Sequence, residues 1–118
     1  MKYEINKIES ISNNNGYEGQ VVATKGRLNK RVDSALLTSF DVAPDGTFET
    51  GYLNVVETSP RYRGKGIGIA VVNAAIELAK THRASSVELD SVDTATAFYE
   101  KLGFVPDDDN PNKMRKIL

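Results

Sequence analysis

Cysteine is absent from this chain of 118 residues, and so is any long apolar run. Without cysteine the chain forms no disulfide, no thiolate metal site and no thiol nucleophile. No stretch approaches the roughly 20 apolar residues that a membrane-spanning helix needs. The start, Met-Lys-Tyr-Glu-Ile, also lacks the apolar core of a signal peptide. We therefore expect a cytoplasmic protein without a metal site or a membrane partner.

The chain also lacks a large net charge of either sign. Fifteen basic and sixteen acidic residues give a formal net charge of −1, which exerts no general attraction on nucleic acid or anionic lipid. No basic face interleaved with aromatic residues is visible, so a nucleic-acid partner is not expected. A hydrophobic content of 40% and a length of 118 residues predict one globular domain over residues 1–118.

The first half of the chain predicts an antiparallel meander. Tyr3, Ile5 and Ile8 indicate a first strand, followed by a turn at residues 12–16. Residues 19–24 and 34–42 are rich in β-branched and aromatic side chains and predict two more strands. Pro44-Asp45-Gly46 is typical of a hairpin turn and leads into a strand over residues 47–57.

The second half alternates between helix and strand patterns. One wide apolar helical face predicts a helix that ends near His82, and it consists of Ile67, Ala70, Val71, Ala74, Ala75, Leu78 and Ala79. A short strand over 86–90 precedes a second helix, which carries apolar residues from Ala95 to Leu102 and is stopped by Gly103. A terminal strand follows at 114–118. The order indicates an α+β fold, a mixed and mostly antiparallel sheet with packed helices.

A glycine-rich segment, Ser59-Pro-Arg-Tyr-Arg-Gly-Lys-Gly-Ile-Gly68, lies between the fourth predicted strand and the first helix. Alternating glycines leave successive backbone N–H groups uncovered where the helix begins. Those unpaired donors and the positive end of the helix dipole attract phosphate. Arg61, Arg63 and Lys65 add positive charge, so this turn predicts a cradle for a phosphorylated ligand.

The spacing of the glycines excludes two common phosphate loops, since neither a Walker A string nor G-x-G-x-x-G is present. What remains, Arg63-x-x-Gly66-x-Gly68, resembles the coenzyme A signature of the GNAT family of N-acetyltransferases. Residues 95–104, Ala-Thr-Ala-Phe-Tyr-Glu-Lys-Leu-Gly-Phe, resemble the second hallmark of the same family. The two motifs come in the order of the family, and together they cover residues 51–106.

This resemblance implies a truncated GNAT-like acyl-CoA N-acyltransferase fold that uses acetyl-CoA as cosubstrate. In the family, backbone N–H groups of the loop bind the pyrophosphate, and the strand before it pairs with the pantetheine arm. The corresponding residues here are Val56, Glu57, Thr58, Arg61, Arg63, Gly64, Lys65, Gly66, Ile67, Gly68 and Ile69. The implied reaction moves an acetyl group to a primary amine by direct attack, without a covalent enzyme intermediate.

The resemblance also implies a catalytic acid. Tyr99 stands where the family places a tyrosine that protonates the leaving thiolate, although its position on an apolar helix face also fits a plain core residue. An amine nucleophile needs a base, and the candidate bases are the strand carboxylates Glu49, Glu57 and Glu88. His82 is expected to complement the helix dipole instead of serving as the base.

Two departures from the family pattern concern the binding of coenzyme A and of the acceptor. Val92 replaces an asparagine that contacts the pantetheine arm, so Asp93 either takes that role or acts as the N-cap of the second helix. About ten residues separate the first two strand patterns, too few for the usual helix pair. We therefore expect an acceptor side that is open or completed by another subunit of a homodimer. Its acceptor is a small-molecule amine or a protein amine.

A second function is compatible with the same residues. A coenzyme A or acetyl-CoA-binding module without catalysis, acting through a protein partner, would keep the loop and lack the helix pair. The presence of Tyr99 favours the enzyme over this alternative.

Overall fold

One mixed sheet of seven strands organises the described residues, which are 2–12, 14–56 and 66–118 of the computed structural model. The elements are β1 Glu4–Ile11, β2 Tyr17–Lys25, β3 Lys30–Ser39, β4 Thr50–Val56, α1 Ile67–Thr81, β5 Ser86–Asp90, α2 Thr96–Lys101, β6 Val105–Pro106 and β7 Lys113–Ile117. A 3₁₀ turn, Asp93–Ala95, precedes α2. This arrangement confirms the predicted α+β fold.

The strands lie in the order β1-β2-β3-β4-β5-β7-β6. The first four form the predicted antiparallel meander. β5 joins it in parallel to β4, as a crossover through α1 requires, and β7 returns antiparallel between β5 and β6. β1 and β2 pair directly across residues 12–16, where the amide of Ser12 donates to the carbonyl of Gly16 at 2.8 Å. No helix pair is inserted there.

Helix α1 covers the middle of the sheet. Its buried side chains recur at helical spacing, and they are Ile67, Val71, Val72, Ala75, Ile76, Leu78 and Ala79. They pack mainly on β2 and β3, and the helix ends at the predicted position, with His82 as its C-cap. Neither α-helix of the described residues has the length and apolarity needed to cross a bilayer.

The sheet has two unlike faces. The helix face, on which α1 packs, carries the buried side chains of the strands, among them Val21, Leu37 and Leu89. Lys116 is also on this face, opposite Val87, and its Nζ donates to the carbonyl of Leu102 at 2.9 Å. The end of α2 therefore lies on the helix face too. No helix of the described residues covers the other side, which we call the open face.

Several details differ from the sequence-based predictions. β3 spans Lys30–Ser39 instead of residues 34–42, and β4 begins at Thr50 instead of residue 47. A register shift against β2 skips Val32, and residues 32–35 are all buried, so the alternation that marks a strand is lost beside this β-bulge. β6 was not predicted, because two residues are too few to show a period. The start of the second helix is a 3₁₀ turn, so α2 begins only at Thr96.

Candidate functional site

The strands β4 and β5 pair over three residues and then separate. Their parallel ladder joins Thr50 to Ser86, Gly51 to Val87 and Tyr52 to Glu88. Beyond that point β4 stays with β3 as far as Val56, while β5 stays with β7 as far as Asp90. Within the described residues no strand pairs with β4 on its β5 side from Leu53 onward. Its backbone groups there are available to an extended ligand.

The N-terminus of α1 stands at this same end of β4. Gly66 is the N-cap, with φ of 77°, a left-handed conformation that favours glycine. No described side chain caps the helix and its first turn holds no acidic residue, while the amide of Ala70 donates to the carbonyl of Gly66. The amides of residues 67–69 precede that first helical bond. A 15-residue helix with an uncapped start offers donors and a positive dipole to a phosphate.

The predicted coenzyme A loop is only partly described. Gly66, Ile67, Gly68 and Ile69 form the beginning of α1, where Ile67 is buried and anchors the turn in the core. Six predicted residues lie outside the described residues, namely Glu57, Thr58, Arg61, Arg63, Gly64 and Lys65. Val56 is the last residue of β4. The roles of these residues stay predictions.

Tyr99 projects from α2 into the core, where only 8% of it is exposed. Its ring contacts Phe98 and Phe104 edge-on, at centroid distances of 5.1 and 5.8 Å. Burial, and after it the charge of Asp33, raise the pKa of the Tyr99 phenol above its ordinary value. The phenol therefore stays protonated at neutral pH and is able to donate a proton. Phe98, Leu102 and Phe104 pack against the core as predicted.

Asp33 is a buried carboxylate that the sequence analysis missed. It lies on β3 next to Ser34, whose partner on β4 is Val56, so it sits at the end of β4 where the strands separate. It is 2% exposed, and its Oδ1 accepts the amide of Ser34 at 2.7 Å. An acidic residue inside a β-rich segment was the available signal, and Asp33 has the same parity along β3 as the buried Ala35 and Leu37.

Glu88 lies at the point where β4 and β5 separate, on the open face. Its side chain is 11% exposed, and Arg115 of β7 donates to its Oε1 through Nε at 2.9 Å and through Nη2. Tyr52 on β4 and Arg115 on β7 are its direct neighbours across the sheet. A pocket of about 590 Å³ opens beside the ion pair, and its lining includes Val105 and Lys113. Arg115 was not predicted, because its partner is 27 residues away in the sequence.

Glu88 thus lies on the open face where the strands separate, whereas Tyr99 is buried on the helix face, near the charge of Asp33. Glu49 does not join them. It precedes β4 at the other end, and its carbonyl accepts the amide of Ser85 at 2.8 Å. At about 3.3 Å per strand residue, roughly 10 Å of strand separate Glu49 from Tyr52, where β4 and β5 begin to separate. Of the two described carboxylates among the predicted bases, only Glu88 stands at the separation.

Asp93 is not the N-cap of a helix, contrary to one of its two predicted roles. Val92 caps the 3₁₀ turn, and Ala95 stands at the N-cap of α2. The Asp93 carboxylate instead accepts the side-chain amide of Asn112 at 2.9 Å, and the same amide nitrogen donates to the carbonyl of Ser91 at 2.8 Å. The bond comes from the β6–β7 loop, which sequence spacing alone does not place there. A contact of Asp93 with a pantetheine arm stays a prediction.

His82 lies at the C-terminal end of α1, beside β1 and the turn before β4. Its Nδ1 lies 2.7 Å from the carbonyl oxygen of Gly46, and its Nε2 lies 2.8 Å from Oε1 of Glu9. Its ring packs against Tyr17 and Phe48. The single histidine therefore joins the end of α1 to β1 and to the turn before β4.

Comparisons with protein families and with curated proteins both match acetyltransferases. The model of the "Acetyltransferase (GNAT) family" matches residues 12–104. The glucosamine 6-phosphate N-acetyltransferase of Trypanosoma brucei brucei is 39% identical over 54 residues, which are 46% of this chain and 37% of that protein. The chain therefore spans well under two thirds of the length of this curated relative.

Solved structures share the fold. A Trypanosoma brucei acetyltransferase superposes with a TM-score of 0.66 and 30% identity, over 77% of this chain and 64% of that one. The PaiA N-acetyltransferase of Thermoplasma acidophilum, solved in complex with coenzyme A, superposes with a TM-score of 0.68 and 18% identity, over 84% of this chain and 60% of that one. At that identity the second likeness concerns the fold alone.

Proposed function

The chain belongs to the acetyltransferase (GNAT) family, and on that premise we propose that it is an acetyl-CoA-dependent N-acetyltransferase acting on a primary amine. The observation that carries the proposal is the separation of β4 from β5 beside a helix N-terminus that no described side chain caps. The edge of β4 offers backbone hydrogen bonds to the extended pantetheine arm, and the N-terminus of α1 offers amides to the pyrophosphate. Coenzyme A needs both kinds of contact, and both occur at the same end of β4.

The described residues fit coenzyme A. The amides of Ile67, Gly68 and Ile69 would hold the pyrophosphate, with Gly66 allowing close approach because it lacks a side chain. The free edge of β4 from Leu53 to Val56 would hold the pantetheine arm. The predicted residues Glu57, Thr58, Arg61, Arg63, Gly64 and Lys65 complete the proposed site. When bound, acetyl-CoA supplies an activated thioester.

Tyr99 and Glu88 have complementary tasks in this proposal. As the new C–N bond forms and the C–S bond breaks, the amine loses a proton and the departing sulfur gains one. Tyr99 Oη donates to the sulfur, since its raised pKa keeps the phenol protonated. Glu88 accepts the amine proton from the open face. Its bonds with Arg115 both end on Oε1, so this ion pair leaves Oε2 to face an acceptor.

The acceptor enters from the open face in this account. No described helix covers that face, so the pocket beside Glu88 is open to solvent. Its lining includes two cations, Lys113 and Arg115, and two carboxylates, Glu88 and Asp107, which suits an amine that also bears an anionic group. The name of the curated relative makes glucosamine 6-phosphate the first acceptor to try, and a peptide with a free N-terminus represents protein amines.

Thiol release from acetyl-CoA, measured with a panel of amines, tests the proposal. We expect one thiol per acetylated amine for at least one acceptor, with the acetylated product confirmed by mass spectrometry. Binding of acetyl-CoA measured by calorimetry serves as the control for a competent donor site. Tight binding without turnover on any amine would favour the alternative, a coenzyme A-binding module that acts through a protein partner. Absence of both binding and turnover would reject both functions.

A further inference from the structure

The two edges of the sheet differ greatly. At one edge β6 has only two residues and ends in Pro106, which has no amide to donate. At the other edge β1 offers eight residues without proline, and β2 is its one partner strand among the described residues. A long edge with unpaired backbone groups is a template for another strand. Two of its isoleucines are also exposed, Ile8 at 66% and Ile11 at 53%.

The sequence of β1 is complementary to itself in one antiparallel register. When Ile8 faces Ile8 of a second copy, every other pair is also matched in character. These pairs are Lys7 with Glu9, Asn6 with Ser10, and Ile5 with Ile11. Cross-strand pairs of opposite charge and of two apolar residues both stabilise a sheet. Because the arrangement is symmetric, each of these three pairs occurs twice in the dimer.

Neighbouring registers lack this match. A shift by one residue in either direction places Ile8 opposite Lys7 or Glu9 of the other copy, and it also reverses which face each strand presents. The two next symmetric registers bring Lys7 against Lys7 or Glu9 against Glu9. Directly opposed like charges destabilise a sheet. The register centred on Ile8 is therefore strongly favoured over its neighbours.

Glu9 is already oriented for this pairing. Its Oε1 accepts the hydroxyl of Tyr17 at 2.8 Å and lies 2.8 Å from Nε2 of His82. Because both contacts come from the helix face, they hold the carboxylate on that side of β1. Lys7 has the same parity along the strand and points the same way. The Glu9 side chain is still 42% exposed, so a lysine from another copy has access to it.

We propose that β1 is a dimerisation edge, and that two copies of this chain join antiparallel through β1 with Ile8 on the two-fold axis. Backbone bonds between the two strands would merge both seven-stranded sheets into one, with both helix faces on the same side. Ile5 and Ile11 would extend the cores of the two copies into each other. The inference is independent of the proposed acetyl transfer, because it rests only on β1 and its neighbours.

Single cysteines test the register, because the chain has none of its own. Under mild oxidation, or with a bismaleimide of short spacer, Ile8→Cys is expected to cross-link into dimers. Ser10→Cys is the matched control on the same face of the same strand. Its counterpart would lie four residues away, or about 14 Å, so it should not cross-link alone. A mixture of Asn6→Cys and Ser10→Cys chains should give the mixed dimer.

Sedimentation of the intact chain tests the interface itself. We expect a dimer in the micromolar range, and Ile8→Asp should raise its dissociation constant by about 100-fold. Leu28→Asp, which changes a residue that is 94% exposed outside β1, should leave it unchanged. Circular dichroism checks that each variant is folded. The proposal would be overturned if the wild-type chain stayed monomeric at roughly 100 μM, or if Ile8→Asp dimerised with the same affinity as the wild type.

Discussion

Tyr52 and Glu88 form the last residue pair at which β4 and β5 lie side by side. The separation that begins there is lined by strand backbone and opens toward the N-terminus of α1, which no described side chain caps. Glu88 stands on the open face of the sheet, whereas Tyr99 is buried on the helix face. Donor and acceptor would therefore meet between the two strands, with an acid on one side and a base on the other.

Replacing the phenol of Tyr99 tests its role as the acid. Tyr99→Phe should lower kcat by about 100-fold, because the departing thiolate loses its proton donor. The affinity for acetyl-CoA should stay unchanged, and the core should keep its packing because only the hydroxyl is removed. Steady-state thiol release gives kcat, and Tyr3→Phe, which removes a partly buried phenol just before β1 at the far edge of the sheet, is the control. An unchanged kcat in Tyr99→Phe would assign this residue to the core alone.

Removing the charge of Glu88 tests its role as the base. Glu88→Gln should lower kcat by about 100-fold with little effect on acetyl-CoA binding, since the amide does not accept the amine proton. Glu49→Gln is the matched control, because Glu49 lies at the other end of β4. Comparable activity in Glu88→Gln and the wild type would rule Glu88 out and leave Glu57 as the candidate base.

A pair of glycines separates backbone strain from ligand binding. Gly66 and Gly26 both have φ near 78°, at 77° and 79°, and an added Cβ at either meets nothing within 4 Å. Each substitution by alanine should therefore cost about 1 kcal/mol of unfolding free energy. Gly66→Ala alone should also raise the Kd for acetyl-CoA about tenfold, because its methyl group stands at the helix N-terminus. Equal Kd values in calorimetry would place the pyrophosphate elsewhere.

The contact between Glu9 and His82 predicts a pH dependence of stability. The hydrogen bond from His82 is the main cause that lowers the pKa of Glu9 below its ordinary value of 4.5. A carboxyl with a lowered folded-state pKa stabilises the fold above the unfolded-state pKa, and this stabilisation is lost as the pH falls through the lowered pKa. Since Glu9 is partly exposed, the effect should be about 1 kcal/mol or less.

Urea unfolding of Glu9→Gln and the wild type between pH 3 and pH 7, a range of roughly four units around that transition, measures this effect. The wild type should be more stable near pH 7, and the two curves should converge at the acid end. A constant difference across the whole range would show that Glu9 contributes through packing and not through its charge.

The local sequence pattern was sufficient to predict most of the fold. The apolar periodicity of α1 and the alternation of the first strands specify elements that the structure contains at nearly the predicted positions. The bulge of β3 could not be predicted, because Val32 is left out of register by the pairing of β3 with β2 and not by its neighbours in the sequence. β6 has two residues and owes its existence to the adjacent β7.

The site was predicted unevenly for the same reason. Motif spacing pointed to Tyr99 and to the start of α1, since each is defined within one segment of sequence. The partners that tune these groups come from distant strands and loops, namely Asp33 for Tyr99, Arg115 for Glu88, and Asn112 for Asp93. Such pairs follow from strand order, which no local pattern encodes.

A crystal structure of this chain with bound coenzyme A tests the central claim most directly. We predict the pyrophosphate on the amides that open α1, the pantetheine arm along β4 from Leu53 to Val56, and the sulfur between Tyr99 and Glu88. Coenzyme A bound on another surface, with no ligand between β4 and β5 where they separate, would contradict the account.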